Sequence, residues 1–216
     1  MPRRPQRSEL TGNARRTGGV DPVGLRIVGG QFRGRKLRYG GNLRVRPMKD
    51  RVREAVFNLI GPTVRGSHAV DLFAGTGALG LEALSRGAAH ATFIEQHFPT
   101  AAIIRQNIAT LGVEDCCDVV TGSVFHWAGR HHLTAEAPWV VFSSPPYDFY
   151  VDRTEAMLSL ITGLFQEAPP GSIVVVESDD RFGFDSLPEA DSWKVRGYPP
   201  AFVGIRNKEK EPRPTE

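Results

Sequence analysis

The chain has 216 residues, 40% of them hydrophobic, which is enough to bury the core of one full domain plus a modest appendage. No apolar run reaches the length of a membrane span and the N-terminus is polar and basic, so neither a membrane partner nor a secretory signal is expected. The two cysteines, Cys116 and Cys117, are adjacent, which suits neither a structural disulfide nor a metal-binding pair. We therefore expect a protein of the reducing cytoplasm, without a bound metal.

The net charge of +3 is unevenly distributed along the chain. Residues 1–53 contain fifteen Lys or Arg and three acidic residues, a net charge of +12, whereas the remainder carries −9. A basic arm on an acidic body is typical of a polyanion-binding appendage on a catalytic domain. For residues 1–22 a solvated, flexible tail that binds nothing specific is an alternative that stays open.

Residues 23–62 are predicted to form an N-terminal extension made of a small hairpin and a helix. Two short extended segments, 25–28 and 35–37, flank glycine-rich turns. A helix is predicted from about Lys49 until Gly61 and Pro62 end it. Its apolar face is expected to contain Val52, Val56, Leu59 and Ile60.

Residues 63–207 alternate between strand and helix patterns and are predicted to form the main domain. This alternation is typical of a mostly parallel sheet with helices on both faces, an α/β fold. Two final strands joined by a proline-rich turn are expected to form an antiparallel edge, and residues 208–216 a disordered tail. The predicted strands are 70–73, 91–95, 118–121, 139–142, 173–177, 193–196 and 202–206, and the main predicted helices are 98–111 and 153–165.

A glycine-rich turn follows the first strand of this domain. Gly75, Gly77 and Gly80 form a Gly-x-Gly-x-x-Gly pattern between a strand and a helix. Glycine lets the backbone turn tightly and approach a ligand, while the helix N-terminus offers free amide donors. The pattern alone fits either a dinucleotide or S-adenosylmethionine.

Two carboxylates at strand ends favour the methyl donor without excluding a dinucleotide. Asp71 ends the first strand, where it could orient water or the methionine ammonium group. Glu95 ends the second strand, where it could accept both ribose hydroxyls, and it would serve NAD equally well.

The sharper signal is Ser144-Pro145-Pro146-Tyr147, directly after the fourth strand. An exocyclic amine of a nucleic-acid base is a poor nucleophile, because its lone pair is delocalised into the ring. The Ser144 hydroxyl and the Pro145 carbonyl could accept its two hydrogens, and the consecutive prolines would preorganise these acceptors. Tyr147 offers a flat face on which the base could stack. Methyl transfer to such an amine is then an in-line displacement that depends largely on positioning.

With these motifs, the sequence from Leu25 to about Arg206 resembles the bacterial 16S ribosomal RNA guanine-N2 methyltransferases, the RsmD family. The segment from Arg46 to Glu54 is the most discriminating part of the resemblance. The resemblance implies a Rossmann-like class I methyltransferase fold with a seven-stranded, mostly parallel sheet and one antiparallel strand. It implies methylation of one guanine in 16S rRNA, within the small subunit or its assembly intermediate. The other matching blocks are 26–30, 34–37, 71–77, 93–95, Asn107, 145–147 and 175–178.

The resemblance also assigns roles to residues of this chain. Gly75 and Gly77 would approach the methionine portion of S-adenosylmethionine and Glu95 its ribose, with Ser144 to Tyr147 holding the guanine. The remaining cofactor residues would be Asp71, Phe73 and, for the adenine, Ser123 and Val124. Arg46 would reach the active site or contact a phosphate, and a monomer is the default expectation. The remaining RNA-binding candidates are Arg33, Arg35, Lys36, Lys49 and Arg51.

Two positions depart from the family pattern. Ser144 stands where the family usually has Asp, and a neutral hydroxyl stabilises positive charge on an amine less well. Either the Pro145 carbonyl carries more of that task, or activity is lower. Ser123 stands where many relatives place an acid near the adenine.

Three other functions remain open from the sequence. A DNA methyltransferase acting on adenine N6 or cytosine N4 shares the Ser-Pro-Pro-Tyr motif, but it would normally need a target-recognition region. A non-catalytic RNA-binding assembly factor is supported only by Ser144. A nicotinamide oxidoreductase has no use for Ser144 to Tyr147 and comes last.

Overall fold

A computed structural model of the chain describes residues 24–40, 47–130, 133 and 136–209. None of the helices within these ranges is long and apolar enough to cross a membrane. The helices are α1 (Asp50–Ile60), α2 (Ala78–Ser85), α3 (Phe98–Leu111), α4 (Val124–Ala128), α5 (Phe149–Asp152) and α6 (Thr154–Glu167). The strands are β1 (His68–Asp71), β2 (His90–Glu95), β3 (Cys117–Thr121), β4 (Trp139–Ser143), β5 (Ile173–Ser178), β6 (Lys194–Tyr198) and β7 (Ala201–Asn207).

The strands within the described ranges form one seven-stranded sheet in the order β3-β2-β1-β4-β5-β7-β6. Strands β1 to β5 are parallel, and β7 runs antiparallel to both β5 and β6. Buried side chains line both faces of the central strands, as expected for a parallel sheet covered by helices. The predicted Rossmann-like sheet with one antiparallel strand is therefore confirmed.

The apolar face predicted for α1 is wrong at one position. Val52, Val56 and Ile60 are buried as expected, but Leu59 is 47% exposed and Phe57 is buried instead. The buried positions 53, 56, 57 and 60 follow the i, i+3, i+4, i+7 spacing of a single helix stripe. Leu59 falls outside this stripe.

Helix α2 is buried along its whole length of eight residues, between the sheet and the N-terminal extension. Its approach to β2 is close, because a Cβ atom built on Gly80 would lie 2.4 Å from a ring carbon of Phe93. The third glycine of the pattern therefore serves helix–sheet packing. Since α2 begins directly after the glycine-rich turn, its packing fixes the position of that turn.

The predicted hairpin is present, with an antiparallel bridge between Arg26 and Lys36. It docks on α2 through Glu82, which has no exposed surface. The Glu82 carboxylate accepts hydrogen bonds from the Val28 amide at 2.7 Å and from Arg86 Nε at 2.8 Å, and it lies 3.6 Å from Nε of the buried Arg53. Buried residues on both sides of the domain boundary predicted near residue 62 belong to one hydrophobic cluster.

Candidate active site

The glycine-rich turn and the Ser-Pro-Pro-Tyr segment lie side by side at the carboxyl edge of the sheet. The first follows β1 and the second follows β4, and these strands are neighbours, with Asp71 paired in register to Phe142. The chain continues from β1 towards β2 on one side, while β4 lies on the other. Such a reversal of strand order opens a crevice beyond the strand ends, where α/β folds bind their ligands.

The backbone of the turn has the conformation for which the glycines were predicted. Gly75 has φ 53° and Gly77 has φ 80°, both in the left-handed region that disfavours larger residues. A Cβ atom on Gly77 would also lie 3.2 Å from Ile104 Cγ2. The buried Asn107 side chain donates a hydrogen bond to the Thr76 carbonyl at 3.0 Å, which ties the turn to α3.

Glu95 contacts the same turn from the end of β2. One carboxylate oxygen accepts the Gly75 amide at 2.9 Å, and the other accepts the His97 amide at 2.8 Å. The carboxylate is therefore fixed by the main chain beside the crevice. Two residues predicted to bind the cofactor, Gly75 and Glu95, are in direct contact.

Asp71 lies beneath the turn and is 1% exposed. One of its oxygens accepts the Gly80 amide at 3.2 Å, and Oδ1 has no hydrogen-bond partner among the described residues. The pKa of Asp71 is raised to about 7, mainly by burial and to a smaller extent by the nearby Glu95, against the lowering effect of the Gly80 amide. A buried carboxyl with a free oxygen beside a ligand-binding turn is able to receive a cationic or hydrogen-bonding group.

The other predicted cofactor residues, Phe73, Ser123 and Val124, follow β1 and β3 at the same edge of the sheet. Ser123 is half-buried and precedes α4, Val124 is buried, and the Gly122 amide bonds to the Glu95 carbonyl at 3.0 Å. The Phe73 ring lies 5.9 Å from that of Phe149 in an edge-on contact. This aromatic contact connects the turn after β1 with the segment after Ser144 to Tyr147.

The Ser-Pro-Pro-Tyr segment contacts a residue that was not among the predicted site residues. Glu177, at the end of β5, is 6% exposed and accepts a hydrogen bond from Ser144 Oγ. Its other oxygen accepts a hydrogen bond from the Tyr147 hydroxyl at 3.1 Å. Burial raises the pKa of Glu177, and the two hydroxyl donors partly offset that effect. Two signals could have pointed to it: this acid stands near the end of the strand next to the motif strand, and it falls in the matching block 175–178.

The predicted RNA-binding cations lie on the extension, apart from Arg46, which falls outside the described residues. All five are exposed, and the Arg35 guanidinium donates to the Thr110 carbonyl at 2.8 Å. The extension also reaches the glycine-rich turn, because Asn107 bonds both the Arg38 main chain and the Thr76 carbonyl. The five residues are Arg33, Arg35, Lys36, Lys49 and Arg51.

The two sides of the crevice suit different ligands. Left-handed glycines, the fixed Glu95 carboxylate and the free oxygen of Asp71 fit a donor that carries a ribose and a cationic amino-acid portion. The hydroxyl of Ser144 and the ring of Tyr147 fit a planar amine on the other side. Together with the strand order, this arrangement defines a class I S-adenosylmethionine-dependent methyltransferase.

Comparison with known proteins gives the family. A family model described as "Conserved hypothetical protein 95" matches residues 25–198. Ribosomal RNA small subunit methyltransferase D of Escherichia coli K12 is 37% identical over 167 residues, which cover 76% of this chain and 79% of that protein. The Haemophilus influenzae protein of the same name is 33% identical over 156 residues, covering 72% and 79%. The chain belongs to this methyltransferase D family.

Solved structures agree with the fold. The Escherichia coli protein yhhF superposes with a TM-score of 0.69 at 31% identity, covering 87% of this chain and 99% of that one. The 16S rRNA N2 G1207 methyltransferase of Thermus thermophilus, solved with AdoMet and guanosine, has a TM-score of 0.61 at 20% identity. It covers 78% of this chain and 45% of that one, and this second likeness concerns the fold alone.

Proposed function

We propose that the chain transfers the methyl group of S-adenosylmethionine to the exocyclic N2 of a guanine in 16S ribosomal RNA. The observation that carries this proposal is that the glycine-rich turn and the Ser-Pro-Pro-Tyr segment lie next to each other at the carboxyl edge of the sheet. Hydrogen-bond acceptors for an amine, on Ser144 and Pro145, follow the strand next to the one that carries the glycine-rich turn. Family membership supports ribosomal RNA as the substrate, since the relatives at 33% and 37% identity are small subunit methyltransferases.

On the donor side, we assign Gly75 and Gly77 to the methionine portion and Glu95 to the ribose hydroxyls. Both Glu95 oxygens already accept main-chain amides, and each keeps a lone pair for a further donor. The free Oδ1 of Asp71 suits the ammonium group, directly or through water. Phe73, Ser123 and Val124 would enclose the rest of the cofactor. When bound, the cofactor supplies an electrophilic methyl group on a sulfonium centre.

On the acceptor side, the guanine would stack on Tyr147 with its amino group towards Ser144. The Ser144 hydroxyl donates its own hydrogen to Glu177, so its oxygen is left to accept an amine hydrogen. The Pro145 carbonyl would accept the other hydrogen, and Pro146 removes a competing backbone donor. Held in this way, the nitrogen lone pair faces the donor side, and positioning supplies much of the rate enhancement.

The extension would bring the RNA to this edge. Its exposed cations, Arg33, Arg35, Lys36, Lys49 and Arg51, lie on an element that reaches the glycine-rich turn through Asn107. Contacts of such cations with phosphates position an RNA without reading its sequence. The substrate is then the small subunit or its assembly intermediate in the bacterial cytoplasm, bound by a monomer. Arg46 would reach the active site or contact a phosphate.

The test uses small subunits from a strain that lacks the gene, incubated with the protein and S-adenosylmethionine labelled in its methyl group. The ribosomal RNA is digested to nucleosides, and label is expected in N2-methylguanosine. Glu155→Gln, an exposed change on α6, serves as a control variant that should retain full activity. Label in another nucleoside would overturn the base assignment. Transfer to duplex DNA but not to subunits would favour the DNA methyltransferase, and donor binding without any transfer the assembly factor.

A further inference from the structure

Glu177 is a buried carboxylate that orients the Ser144 hydroxyl in the proposed function but has no chemical step assigned to it there. It belongs to β5, whereas the residues it contacts follow β4, and the two strands are parallel neighbours with Ser143 paired to Val176. One of its oxygens is bonded to Ser144 Oγ and the other to the Tyr147 hydroxyl. These are the two side chains that would hold the amine and the base. The contacts cross 33 and 30 residues of chain, so the topology of the sheet brings them together.

We propose that Glu177 acts through Ser144 as the proton acceptor of the methyl-transfer site, so that the Ser144–Glu177 pair does the work of a single carboxylate. This inference rests on the proposed function and assigns a positioning residue to it. The hydroxyl touches the amine, and the carboxylate behind it both orients that hydroxyl and supplies the negative charge that serine lacks.

The proton transfer is balanced as follows. The amine nitrogen forms a bond to the methyl carbon, the sulfur–carbon bond breaks with its electron pair moving to sulfur, and the nitrogen becomes positively charged. That nitrogen loses one hydrogen ion to Ser144 Oγ, while Ser144 passes its own hydrogen ion to Glu177 Oε2. The products are the neutral methylated amine, the neutral thioether and a protonated Glu177. Release of that proton to water restores the starting state.

The surroundings of Glu177 suit this role. Burial raises the pKa of Glu177, which makes it a better base than an exposed carboxylate, and the Ser144 and Tyr147 hydroxyls moderate the effect. Burial raises the pKa of the Tyr150 phenol on α5, and the nearby Glu177 adds to this against the lowering effect of the Ser143 hydroxyl, so the phenol stays neutral. On the chain beyond β5, Asp179 is paired with Arg181. Val203 of β7, the neighbouring strand on the other side, is apolar.

The first experiment compares Glu177→Gln with the wild type in single-turnover methylation of small subunits. Glutamine keeps the size and removes the charge, so we expect the rate to fall by about 10²–10⁴-fold, the usual contribution of a general base. Affinities for the cofactor and the subunit should change less than about threefold, since neither is assigned to Glu177. The wild-type rate should rise with pH up to a plateau as Glu177 loses its proton. This rise should be absent in Glu177→Gln and present in the control Glu155→Gln.

The second experiment asks whether a carboxylate at position 144, in direct contact with the amine, can replace the carboxylate at position 177. Ser144→Asp combined with Glu177→Gln restores one carboxylate to the pair, and we expect at least a tenfold recovery over Glu177→Gln alone. Ser144→Asp in the wild-type background places two carboxylates in contact, where like charges prevent both from ionising. That single variant should be slower than the double variant. A purely structural role for Glu177 predicts the opposite order, because the double variant carries two changes in the site.

A third measurement is independent of activity. In the free protein labelled with ¹³C in glutamate carboxyl groups, the pKa of Glu177 is read by NMR titration and assigned with Glu177→Gln. Ser144→Ala removes a donor to the carboxylate, so we expect the pKa of Glu177 to rise. An unchanged pKa would show that the pair is not formed in solution and would overturn the proposal, even if no RNA substrate were methylated. An active Glu177→Gln with the wild-type pH profile would overturn it as well, while leaving the proposed function intact.

Discussion

The two sides of the candidate active site differ in the atoms that form their contacts. On the β1–β2 side the contacts are largely made by the main chain: Glu95 holds the Gly75 and His97 amides, and Asp71 holds the Gly80 amide. On the β4–β5 side they are made by side chains, where Ser144 and Tyr147 meet Glu177. The first side depends on a backbone conformation, and the second on complementary functional groups.

This difference determines what each side tolerates. A left-handed backbone next to close neighbours accepts only glycine, so the donor side is fixed residue by residue. In a pair of side chains either residue can be replaced by another type, as long as one group still accepts the amine hydrogen and one still carries the negative charge, as the proposed function requires. Changes on the donor side should therefore appear first as lost stability, and changes on the acceptor side as lost rate.

The largest effect is expected from Glu82→Ala, which removes the buried carboxylate between the extension and α2. It would leave the fully buried Arg53 without that partner and the Val28 amide without its acceptor. Breaking a buried ion pair from one side costs about 3–5 kcal/mol, so the free energy of unfolding in urea should fall by about 3 kcal/mol or more. The exposed change Glu155→Ala is the control, with an effect below about 0.5 kcal/mol. A loss equally small in Glu82→Ala would mean that α2 does not depend on the extension.

Asp71→Asn should give the next largest effect on the free energy of unfolding, and this effect depends on pH. The pKa of Asp71 is about 7 in the folded protein and 3.8 ordinarily, so the folded state keeps a proton that the unfolded state loses. Wild-type stability should therefore decrease as pH rises from about 4 to 7, by up to about 4 kcal/mol at 1.36 kcal/mol per unit of pKa. The asparagine variant keeps an acceptor for the Gly80 amide and lacks this slope. Urea unfolding of both proteins at pH 5 and pH 8 measures this slope. If the difference in free energy of unfolding between variant and wild type were the same at both pH values, the assignment would be contradicted.

A smaller effect is expected from Gly80→Ala, which tests the close packing of α2 on β2. The new Cβ atom would lie 2.4 Å from the Phe93 ring, and overpacking of this kind costs about 1–3 kcal/mol. Gly163→Ala in α6 is the matched control, because a Cβ atom there meets nothing within 4 Å. In that helix alanine should stabilise the protein by about 0.5–1 kcal/mol. Thermal unfolding of the two variants should shift in opposite directions, and parallel shifts would refute the packing argument.

The same difference between the two sides explains how far the sequence alone could predict the site. Gly75, Gly77 and Glu95 were recognisable because local strand and turn patterns place them together over some twenty residues. Glu177 was not recognisable as part of the site, since only the pairing of β4 with β5 brings it to Ser144. The prediction for Leu59 failed for a related reason. Phe57, which is buried instead, packs against Phe142 of β4 with 5.5 Å between the ring centroids, and the local sequence of α1 does not contain that partner. Interactions that cross the sheet are set by topology, and their partners need not follow any pattern along the chain.

The smallest effect should come from Tyr147→Phe, and its comparison with Tyr147→Ala separates the hydrogen bond to Glu177 from stacking of the base. Tyr147→Ala removes the ring on which the guanine would stack, worth about 1–3 kcal/mol, so single-turnover methylation should slow by about 10- to 100-fold. Tyr147→Phe keeps the ring and removes only the hydrogen bond to Glu177, so a few-fold change is expected. Cofactor affinity, measured by calorimetry, should be nearly unchanged in both, because Tyr147 lies on the acceptor side. If Tyr147→Ala weakened cofactor binding as much as it slowed transfer, the two sides of the crevice would not be separable in function. The assignment of the base to the β4 side would then fail, although the fold and the donor side would stand.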